Sequence, residues 1–474
     1  MQCLSFVSVE FIILVIITLT IYYLPTFRNW QPLVLIVAGL VFYGYDNHYR
    51  SILLICSALI NFLGTYVCLA SRNRRLQVIS TTVGVFLNLF LLGFFKYGKS
   101  LVLIVSSYVA GANEMLSLMG DWTMPIGLSF FTFQGISLLV DALRNKINRQ
   151  FQGKNRNRFM GQGTAAFLFI SFFPTLLSGP IMKGHQFIPQ ISIKRFHDID
   201  WERCVKELIL GYFLKMVIAD NLRDQTFWLA YPLFQVYAPT TLLMFLLGYS
   251  IQIFADFAGY SLIAIAVARL AGYGLPDNFN FPYISKTFSE FWRRWHISLS
   301  TWLRDYLYIP LGGNRKDSMR TYINVFIVMF LGGLWHGSTW NYGLWGAYHG
   351  TLLMLERPFR DKLTNPQHPL LNVINGLVVF CLVTVGWLFF KLTEFHEVVA
   401  FVKALWANGG IYGIGPIRWI LLYSIPIGLY HLLHLLKQRI GAFNAIAEDC
   451  LYAVMLFGII CCSGSPSSFI YFQF

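Results

Sequence analysis

The residues best suited to chemistry in this 474-residue chain are two histidines, His296 and His336, in a stretch rich in arginine. An imidazole titrates near neutral pH and can act as a general base toward a hydroxyl or a thiol. His336 ends the apolar run 322–336 and precedes a turn that begins with Gly337. Because an ionisable group in membrane-like surroundings is costly, it indicates a functional site. A buried structural histidine bonded to a backbone carbonyl is the competing interpretation, and we prefer the general base.

A second set of residues could bind substrate or support the two imidazoles. His296 follows Arg293 and Arg294 and could bind an anionic group together with them. The segment 291–303 could instead be an amphipathic helix in the membrane interface, with its tryptophans among the lipid head groups, and we prefer this interpretation for it. Further candidates for substrate binding are Arg304, Asp305, Arg315, Lys316 and His349.

Other titratable residues are interpreted as structural. Asp256 lies in an apolar run, where a carboxylate needs a cationic partner, so we expect a structural ion pair there. His431 and His434 have i,i+3 spacing but no neighbouring carboxylate, which argues against a metal site. The eight cysteines lie mostly in apolar runs without a Cys-x-x-Cys pair, so neither a disulfide framework nor a metal site is expected.

The elements that position these residues are predicted to be membrane helices. The chain is 56% hydrophobic and 12% charged, whereas soluble domains are about 25% charged. Its mean hydropathy is +0.57. Some apolar runs reach the roughly 20 residues needed to cross a bilayer and others fall short. The sequence therefore predicts an all-α polytopic membrane protein of roughly ten to thirteen membrane helices, some short or re-entrant. We expect a single membrane-embedded domain, residues 1–474, around a central cavity.

The formal charge of +14 is spread over short connections, which argues against a nucleic-acid partner and follows the positive-inside rule. The basic connections 72–75 and 144–158 are therefore predicted to be cytoplasmic, with an even number of crossings between them. Three apolar runs separate them, and the middle one, 101–110, is too short to span. We expect that run to be interfacial or re-entrant, which leaves two crossings.

The runs 322–336 and 340–355 are predicted to form a hairpin that returns to the cytoplasmic side. Each arm has 15 or 16 residues, about 22–24 Å of helix, which is short of the ~30 Å bilayer core. The turn would then lie inside the bilayer, with His336 at the bottom of a water-filled cavity. Basic residues flank both ends of the hairpin: Arg315, Lys316 and Arg320 before it, and Arg357, Arg360 and Lys362 after it.

Ten short motifs follow one another along about 350 residues, among them Phe-Trp-Arg-Arg-Trp-His (291–296) and Gly-Leu-Trp-His-Gly (333–337). With these motifs the chain resembles the bacterial membrane-bound O-acyltransferases of the alginate O-acetylation type. One departure is Leu262, where this family often carries an acidic residue. The motifs occupy residues 125–134, 173–180, 254–261, 278–283, 291–300, 302–315, 333–337, 345–350, 386–387 and 469–474.

The resemblance implies a fold and a function. His336 corresponds to the family's catalytic histidine, and His296 belongs to its second signature motif. The implied reaction moves an acetyl group from acetyl-CoA toward the outer face of a bacterial cytoplasmic (inner) membrane. A periplasmic or extracellular serine acetyltransferase would complete delivery to a polysaccharide. No bound cofactor or metal is expected, and a basic cytoplasmic entrance suits the phosphates of coenzyme A.

Three alternatives stay open at this stage. A transporter or flippase would also contain broken helices and buried charges, although we find no paired halves in the sequence. A relative that acylates teichoic acid or a protein is possible within the enzyme class. A purely structural membrane partner is the third alternative, and it would not need a histidine at membrane depth.

Overall fold

A computed structural model describes residues 4–106, 125–147, 158–359, 363, 369–406, 409–441, 444–467 and 469–470. Helices dominate these residues, and their one isolated β-bridge joins Tyr237 to Ile411. The chain divides into two compact units, residues 1–204 with 264–276 and residues 205–263 with 277–474. The predicted all-α fold is confirmed, whereas the single domain stays a prediction.

The first unit is a set of apolar helices that also contact each other through buried polar side chains. Asn61 and Asn88 are both buried and bond reciprocally, with N···O distances of 3.3 and 2.9 Å. Such amide pairs hold helices together where the surroundings offer no water. The helices are α1 Val9–Tyr23, α2 Gln31–Gly44, α3 His48–Ala70, α4 Arg74–Ser106, α5 Leu128–Leu143 and α6 Arg158–Ser171.

The predicted separate element at 101–110 is wrong for the residues that the structure describes. Helix α4 continues without a break through the polar stretch 96–100 and includes residues 101–106. Lysine, tyrosine and serine interrupt the apolar pattern there, but they are compatible with a helix, so hydropathy alone divides one helix into two runs. Residues 107–110 lie outside the described part of the chain, as do residues 148–157 of the basic connection.

The second unit contains both histidines. All or most of each of the remaining helices belongs to it. They are α7 Trp201–Tyr212, α8 Asp220–Thr226, α9 Pro239–Leu270, α10 Phe288–Arg294, α11 Ile297–Leu303, α12 Ser318–His336, α13 Trp340–Glu356, α14 Pro369–Gly386, α15 Phe395–Leu405, α16 Ile414–Ile440 and α17 Ala445–Cys462.

Membrane-spanning capacity is distributed along the chain. Seven helices of the described residues are long and apolar enough to cross a bilayer. A pair bent by 97°, Val9–Tyr23 with Pro25–Gly44, would make an eighth span, and two shorter apolar helices lie at Leu128–Leu143 and Phe159–Ser171. The chain is therefore a multi-pass membrane protein. The seven helices are α3, α4, α9, α12, α14, α16 and α17.

The hairpin formed by α12 and α13 differs from its predicted dimensions. Asp317 caps α12 by accepting a hydrogen bond from the backbone N–H of Arg320 at 2.7 Å, so the helix begins before the apolar run. Its 19 residues extend about 28 Å, which approaches the ~30 Å bilayer core. The prediction of a short first arm is therefore wrong. That His336 lies at the bottom of a cavity inside the bilayer stays a prediction. Arg360 and Lys362, which follow the hairpin, lie outside the described residues.

Two glycines allow the hairpin arms to pack backbone against backbone. A Cβ atom on Gly333 would clash with the carbonyl oxygen of Tyr342 and lie 2.9 Å from the backbone nitrogen of Gly346. A Cβ atom on Gly346 would in turn clash with the carbonyl oxygen of Met329. Small residues permit this close approach of apolar helices. The close packing fixes the register of the two arms, and with it the position of His336.

Candidate active site

His336 is the last residue of α12 and is 7% exposed. Aromatic rings surround its imidazole: the ring centroids of Trp335, Trp345 and Phe390 lie 4.9, 5.2 and 5.0 Å away. These rings limit the access of water to the imidazole. A group that transfers protons to a substrate benefits from such exclusion because hydrolysis of a reactive intermediate is suppressed.

The turn after His336 leaves no space for a side chain. A Cβ atom on Gly337 would overlap the ring of Tyr342 on α13. Tyr342 is itself 1% exposed, so its ring cannot swing into solvent to make room. The sequence Trp-His-Gly therefore has a steric basis, since glycine lets the chain pass the tyrosine ring directly after the imidazole.

His296 occupies a break between two short helices. Its backbone is left-handed, with φ 42° and ψ 54°, and it separates α10 from α11. Its side chain is 1% exposed, and the neighbouring Trp295 and Trp302 are 1% and 6% exposed. The predicted interfacial helix over residues 291–303 is therefore wrong, because these tryptophans are inside the protein and the segment is not one helix.

Asn278 holds this break in place. Its Oδ1 atom accepts hydrogen bonds from the backbone N–H and the hydroxyl of Ser298, at 3.3 and 2.7 Å, and its Nδ2 atom donates to Ser261 Oγ at 3.0 Å. The same Oδ1 atom lies 3.2 Å from His296 Nδ1. Since Oδ1 can only accept, His296 Nδ1 must carry the proton. The neutral imidazole then has its lone pair on Nε2.

The environment of His296 also determines its charge. Burial lowers the pKa of His296 to about 3, because the charged form loses its hydration. The imidazole is therefore neutral at physiological pH. His296 does not attract an anionic substrate group by charge, as the sequence had suggested, but it can accept a hydrogen bond at Nε2.

The two imidazoles lie side by side. Their ring centroids are 6.4 Å apart, with 52° between the ring planes. Ring nitrogens lie about 1 Å from the ring centroid, so rings at this distance do not hydrogen-bond each other directly. The structure thus brings together the two residues predicted as catalytic, which are 40 positions apart in the sequence.

The predicted anion-binding arginines of this region have local partners or face outward. Arg294 pairs with Glu290 at 2.8 Å and donates to the carbonyl oxygen of Asn280 at 3.0 Å. Arg304 pairs with Asp305 at 2.8 Å and leaves 59% of its side chain exposed. Arg293 is also exposed. These exposed or paired side chains differ in environment from the buried imidazoles.

Arg315 and Lys316 lie at the opposite end of α12 from His336. Both are exposed and follow a turn at Gly312 and Gly313, which have φ values of 111° and 55°. The carbonyl oxygen of Gly313 accepts a hydrogen bond from Asn324 Nδ2 at 3.0 Å, which ties the turn to α12. Twenty helical residues would span about 30 Å, so the structure does not bring this basic pair to the imidazole.

His349 is fully buried among aromatic rings. Its ring centroid is 4.9 Å from that of Trp345 and 5.2 Å from that of Trp292. Neither ring nitrogen has a hydrogen-bond partner among the residues that the structure describes. The indole of Trp345 contacts both His349 and His336, so the predicted support of His336 by His349 is by packing and not by a hydrogen bond.

Asp256 forms the structural ion pair that the sequence suggested. Its Oδ1 atom lies 2.8 Å from Lys215 Nζ, which is also 2.7 Å from Asp220. Ser467 Oγ bonds both Lys215 and Asp220, at 3.0 and 2.5 Å. The backbone N–H of Ile470 donates to Asp256 at 2.6 Å. This buried network ties Ser467 and Ile470 into the second unit. Residues 471–474 of the terminal motif lie outside the described part of the chain.

Sequence reasoning missed two residues that position the site. Asn278 fixes the tautomer of His296, and Lys215 is the partner of Asp256. Lys215 was visible as a lone cation in an apolar segment and Asn278 as part of the motif at 278–283. The residues that they hold, Asp256 and His296, lie 41 and 18 positions away. Within the described residues, no group of three or more histidines, cysteines and acids could hold a metal ion.

The fold and this site define a polytopic membrane protein with paired buried imidazoles. The family model for MBOAT, the membrane-bound O-acyltransferase family, matches residues 16–393. The chain belongs to this family, which agrees with the resemblance of its motifs, and it is an O-acyltransferase.

The chain is similar to curated bacterial proteins whose names describe O-acetylation or D-alanylation. The probable alginate O-acetylase AlgI of Pseudomonas aeruginosa is 35% identical over 396 residues, 82% of this chain and 72% of that protein. The peptidoglycan O-acetyltransferase of Helicobacter pylori is 31% identical over 399 residues, 80% of this chain and 74% of that protein. The teichoic acid D-alanyltransferase of Bacillus subtilis is 28% identical over 287 residues, 57% of this chain and 70% of that protein.

Proposed function

We propose that this protein transfers an acetyl group from cytoplasmic acetyl-CoA to an extracytoplasmic polysaccharide across a bacterial inner membrane. A periplasmic or extracellular serine acetyltransferase is the proposed partner that completes delivery to the glycan. The observation that carries the proposal is the pair of buried imidazoles at 6.4 Å. The names of two relatives, an alginate O-acetylase and a peptidoglycan O-acetyltransferase, support acetyl as the acyl group and a glycan as the final acceptor.

In the proposed reaction His336 is the general base. Its imidazole takes the proton of an acceptor hydroxyl while the hydroxyl oxygen attacks the thioester carbonyl carbon of acetyl-CoA. The new C–O bond forms as the C–S bond breaks, and the imidazolium returns the proton to the departing thiolate. General-base assistance of this kind contributes roughly 10²–10⁴-fold in rate.

His296 has a different proposed role. With its proton held on Nδ1 by Asn278, it offers the Nε2 lone pair as a hydrogen-bond acceptor. A neutral acceptor next to the base can take a hydrogen bond from a second hydroxyl of the acceptor molecule and so orient it while His336 takes the proton of the reacting hydroxyl. Orientation of reacting groups removes an entropic part of the barrier. His349 supports the site by packing against Trp345.

The exposed cations have a proposed role in recruiting the donor. Arg315 and Lys316 mark the basic end of α12, where the phosphates of coenzyme A would first meet the protein. At about 30 Å of helix from His336, they would steer the donor toward the entrance and would not hold the thioester. Arg293 would add to the same field, whereas the charges of Arg294 and Arg304 are balanced by Glu290 and Asp305. Such fields raise association rates and weaken with salt.

An aminoacyl group in place of acetyl is the second candidate. The observation that favours it is the similarity to a teichoic acid D-alanyltransferase. That relative matches a smaller share of this chain than the two O-acetylating relatives do, so acetyl remains the first choice. The acyl group can be tested directly, since each donor leaves a different label on the product.

The experiment gives purified protein acetyl-CoA with a radiolabelled acetyl group, together with membranes that contain the acceptor. We expect free coenzyme A to be released by the unaltered protein and by His197→Ala, a change at an exposed histidine. His336→Ala should release coenzyme A at least a hundredfold more slowly, in keeping with the loss of a general base. Release by His336→Ala at the unaltered rate would rule out His336 as the base. If the acyl group were transferred only from a D-alanyl donor, D-alanyl would replace acetyl as the proposed acyl group.

A further inference from the structure

A long apolar groove lies in the second unit between α14 and α16. Its volume is about 670 Å³, and the segment 283–286 forms part of its wall. It is distinct from the imidazole pair, because aromatic rings separate the two. The ring of Tyr283 lies 6.1 Å from that of Trp295, which in turn lies 4.9 Å from that of Trp387. Trp345 then stands between Trp387 and His336.

The two helices that border the groove run in opposite directions along α9. Helix α16 runs parallel to α9, since Ile420 lies beside Gly248 and His431 beside Phe254. Helix α14 runs antiparallel to α9, since Thr384 bonds Ser250 while the earlier Phe380 and Phe254 both pack against Tyr283. The first turn of α14 and the last turn of α16 therefore lie at the same end of the groove.

That end is basic and polar. Arg439, Asn372 and Lys286 line it. Lys286 lies at this end because the residue before it, Ser285, is beside Gly376 in the first half of α14. Both cations are exposed, and neither takes part in the ion pairs that the described residues form. The nearby acid Glu290 is held by Arg294 at 2.8 Å. No acidic side chain is among the described residues that line the groove.

The remaining polar groups of the groove wall are mostly engaged within the protein. His431 Nδ1 lies 2.9 Å from the carbonyl oxygen of Ile427, and its Nε2 accepts from the backbone N–H of Tyr283 at 3.4 Å. The Tyr283 hydroxyl donates to the carbonyl oxygen of Ser250 at 2.5 Å. The middle of the groove thus presents carbon atoms and a neutral imidazole edge, which suit a hydrocarbon chain and not a nucleotide.

We propose that this groove is a binding site for one anionic phospholipid. The phosphate group lies against Lys286 and Arg439, and an acyl chain follows the groove toward Ser424. From Ser424 to Arg439 the helix rises about 22 Å, which exceeds half of the ~30 Å bilayer core. The groove is therefore long enough for the acyl chain of a lipid from one leaflet. Basic sites between membrane helices on the cytoplasmic side favour anionic head groups.

The first test fills the groove. Gly428 lines it, and a Cβ atom there would meet no atom within 4 Å, so Gly428→Phe places a ring in open space. Gly415 on the same helix is equally open but is not a groove residue, which makes Gly415→Phe the matched control. Both changes replace glycine with a better helix former, so both variants are expected to fold.

The measurement is native mass spectrometry of detergent-purified protein titrated with phosphatidylglycerol. We expect a single lipid adduct on the unaltered protein and on Gly415→Phe. The fraction of protein that carries this adduct should be at least tenfold lower for Gly428→Phe. Equal adducts on both variants would overturn the proposal. It would also be overturned if Gly428→Phe weakened the binding of acetyl-CoA and left lipid binding unchanged, since the groove would then belong to the donor.

The second test concerns the head group. Lys286→Gln with Arg439→Gln should weaken phosphatidylglycerol binding by about 25-fold, at roughly fivefold for each charge removed near an anionic lipid. Binding of phosphatidylcholine should change little. Lys437→Gln, a neutralised cation at the same end of α16 that does not line the groove, is the control. Equal loss in the control, or an unchanged preference for phosphatidylglycerol in the double variant, would exclude headgroup recognition by these cations.

Discussion

At the scale of single residues, the two imidazoles of the site are not equivalent. His336 ends an apolar helix and is enclosed by aromatic rings. His296 is set at a left-handed break and bonded through Nδ1 to Asn278. A left-handed non-glycine residue is strained and persists only where its surroundings hold it. Asn278 supplies that support, so its identity controls the second imidazole.

Asn278 is therefore predicted to be a positioning residue. Asn278→Asp keeps an oxygen next to His296 Nδ1 but adds a negative charge, which raises the pKa of the imidazole above its value of about 3. If the neutral ring is the active form, activity is present above the imidazole pKa and lost as pH falls through it. We expect the acid limb of the pH–rate profile to move upward in Asn278→Asp.

Asn278→Ala is the companion variant. It removes the acceptor for His296 and Ser298, so we expect turnover to fall at every pH. Measurement of acetyl transfer from pH 3.5 to pH 9 separates the two effects. A purely structural role for Asn278 would leave the shape of the Asn278→Asp profile unchanged.

At the scale of elements, the hairpin of α12 and α13 sets the position of His336. Gly333 and Gly332 are adjacent, yet they meet different surroundings. A methyl group on Gly333 would strike backbone atoms of α13, whereas one on Gly332 would meet only the flexible end of Leu303 at 3.1 Å.

We therefore expect Gly333→Ala to spread the hairpin and Gly332→Ala to be tolerated. Overpacking of this kind costs about 1–3 kcal/mol. The thermal midpoint and acetyl transfer should both decrease in Gly333→Ala and stay near the unaltered values in Gly332→Ala. Equal activity of the two variants would show that backbone contact between the arms does not position His336.

The orientation of the helices gives a second prediction at this scale. The basic connections at 72–75 and 315–316 are predicted to face the cytoplasm. In a variant without native cysteines, Asn73→Cys and Lys316→Cys should react with an impermeant thiol reagent only after the cells are opened. Labelling of position 316 in intact cells would reverse the predicted orientation of α12.

At the scale of the whole molecule, a buried cation joins distant parts of the second unit. Lys215 forms ion pairs with both Asp220 and Asp256 and bonds Ser467, with both acids and the lysine at most 4% exposed in their side chains. Removing one member of a buried ion network leaves the other charges without compensation.

Lys215→Met is therefore predicted to lower the free energy of unfolding by about 3–5 kcal/mol. Thermal unfolding in detergent measures the change. Lys206→Met is the control, because Lys206 meets Glu448 at 4.0 Å in a more exposed pair. A similar loss in both variants would mean that the buried network contributes no more than a surface pair.

The sequence alone determined the class of this protein. The length and hydropathy of its apolar runs predict membrane helices, and its short motifs identified the family. These signals are local, because the bilayer requires a length of apolar chain and a motif is read from adjacent residues. The choice of His336 as the main candidate rests on the same local signals.

Only the tertiary structure decided how the site is assembled. The break at His296 depends on Asn278, eighteen positions earlier. The charge of Asp256 is balanced by Lys215, which also bonds Ser467. Hydropathy wrongly separated residues 101–106 from α4 and placed the start of α12 too late. It measures apolar character and takes no account of helix propensity or of the N-cap at Asp317. Partners distant in sequence leave no local pattern, since the free energy of their contact exists only once the chain is folded.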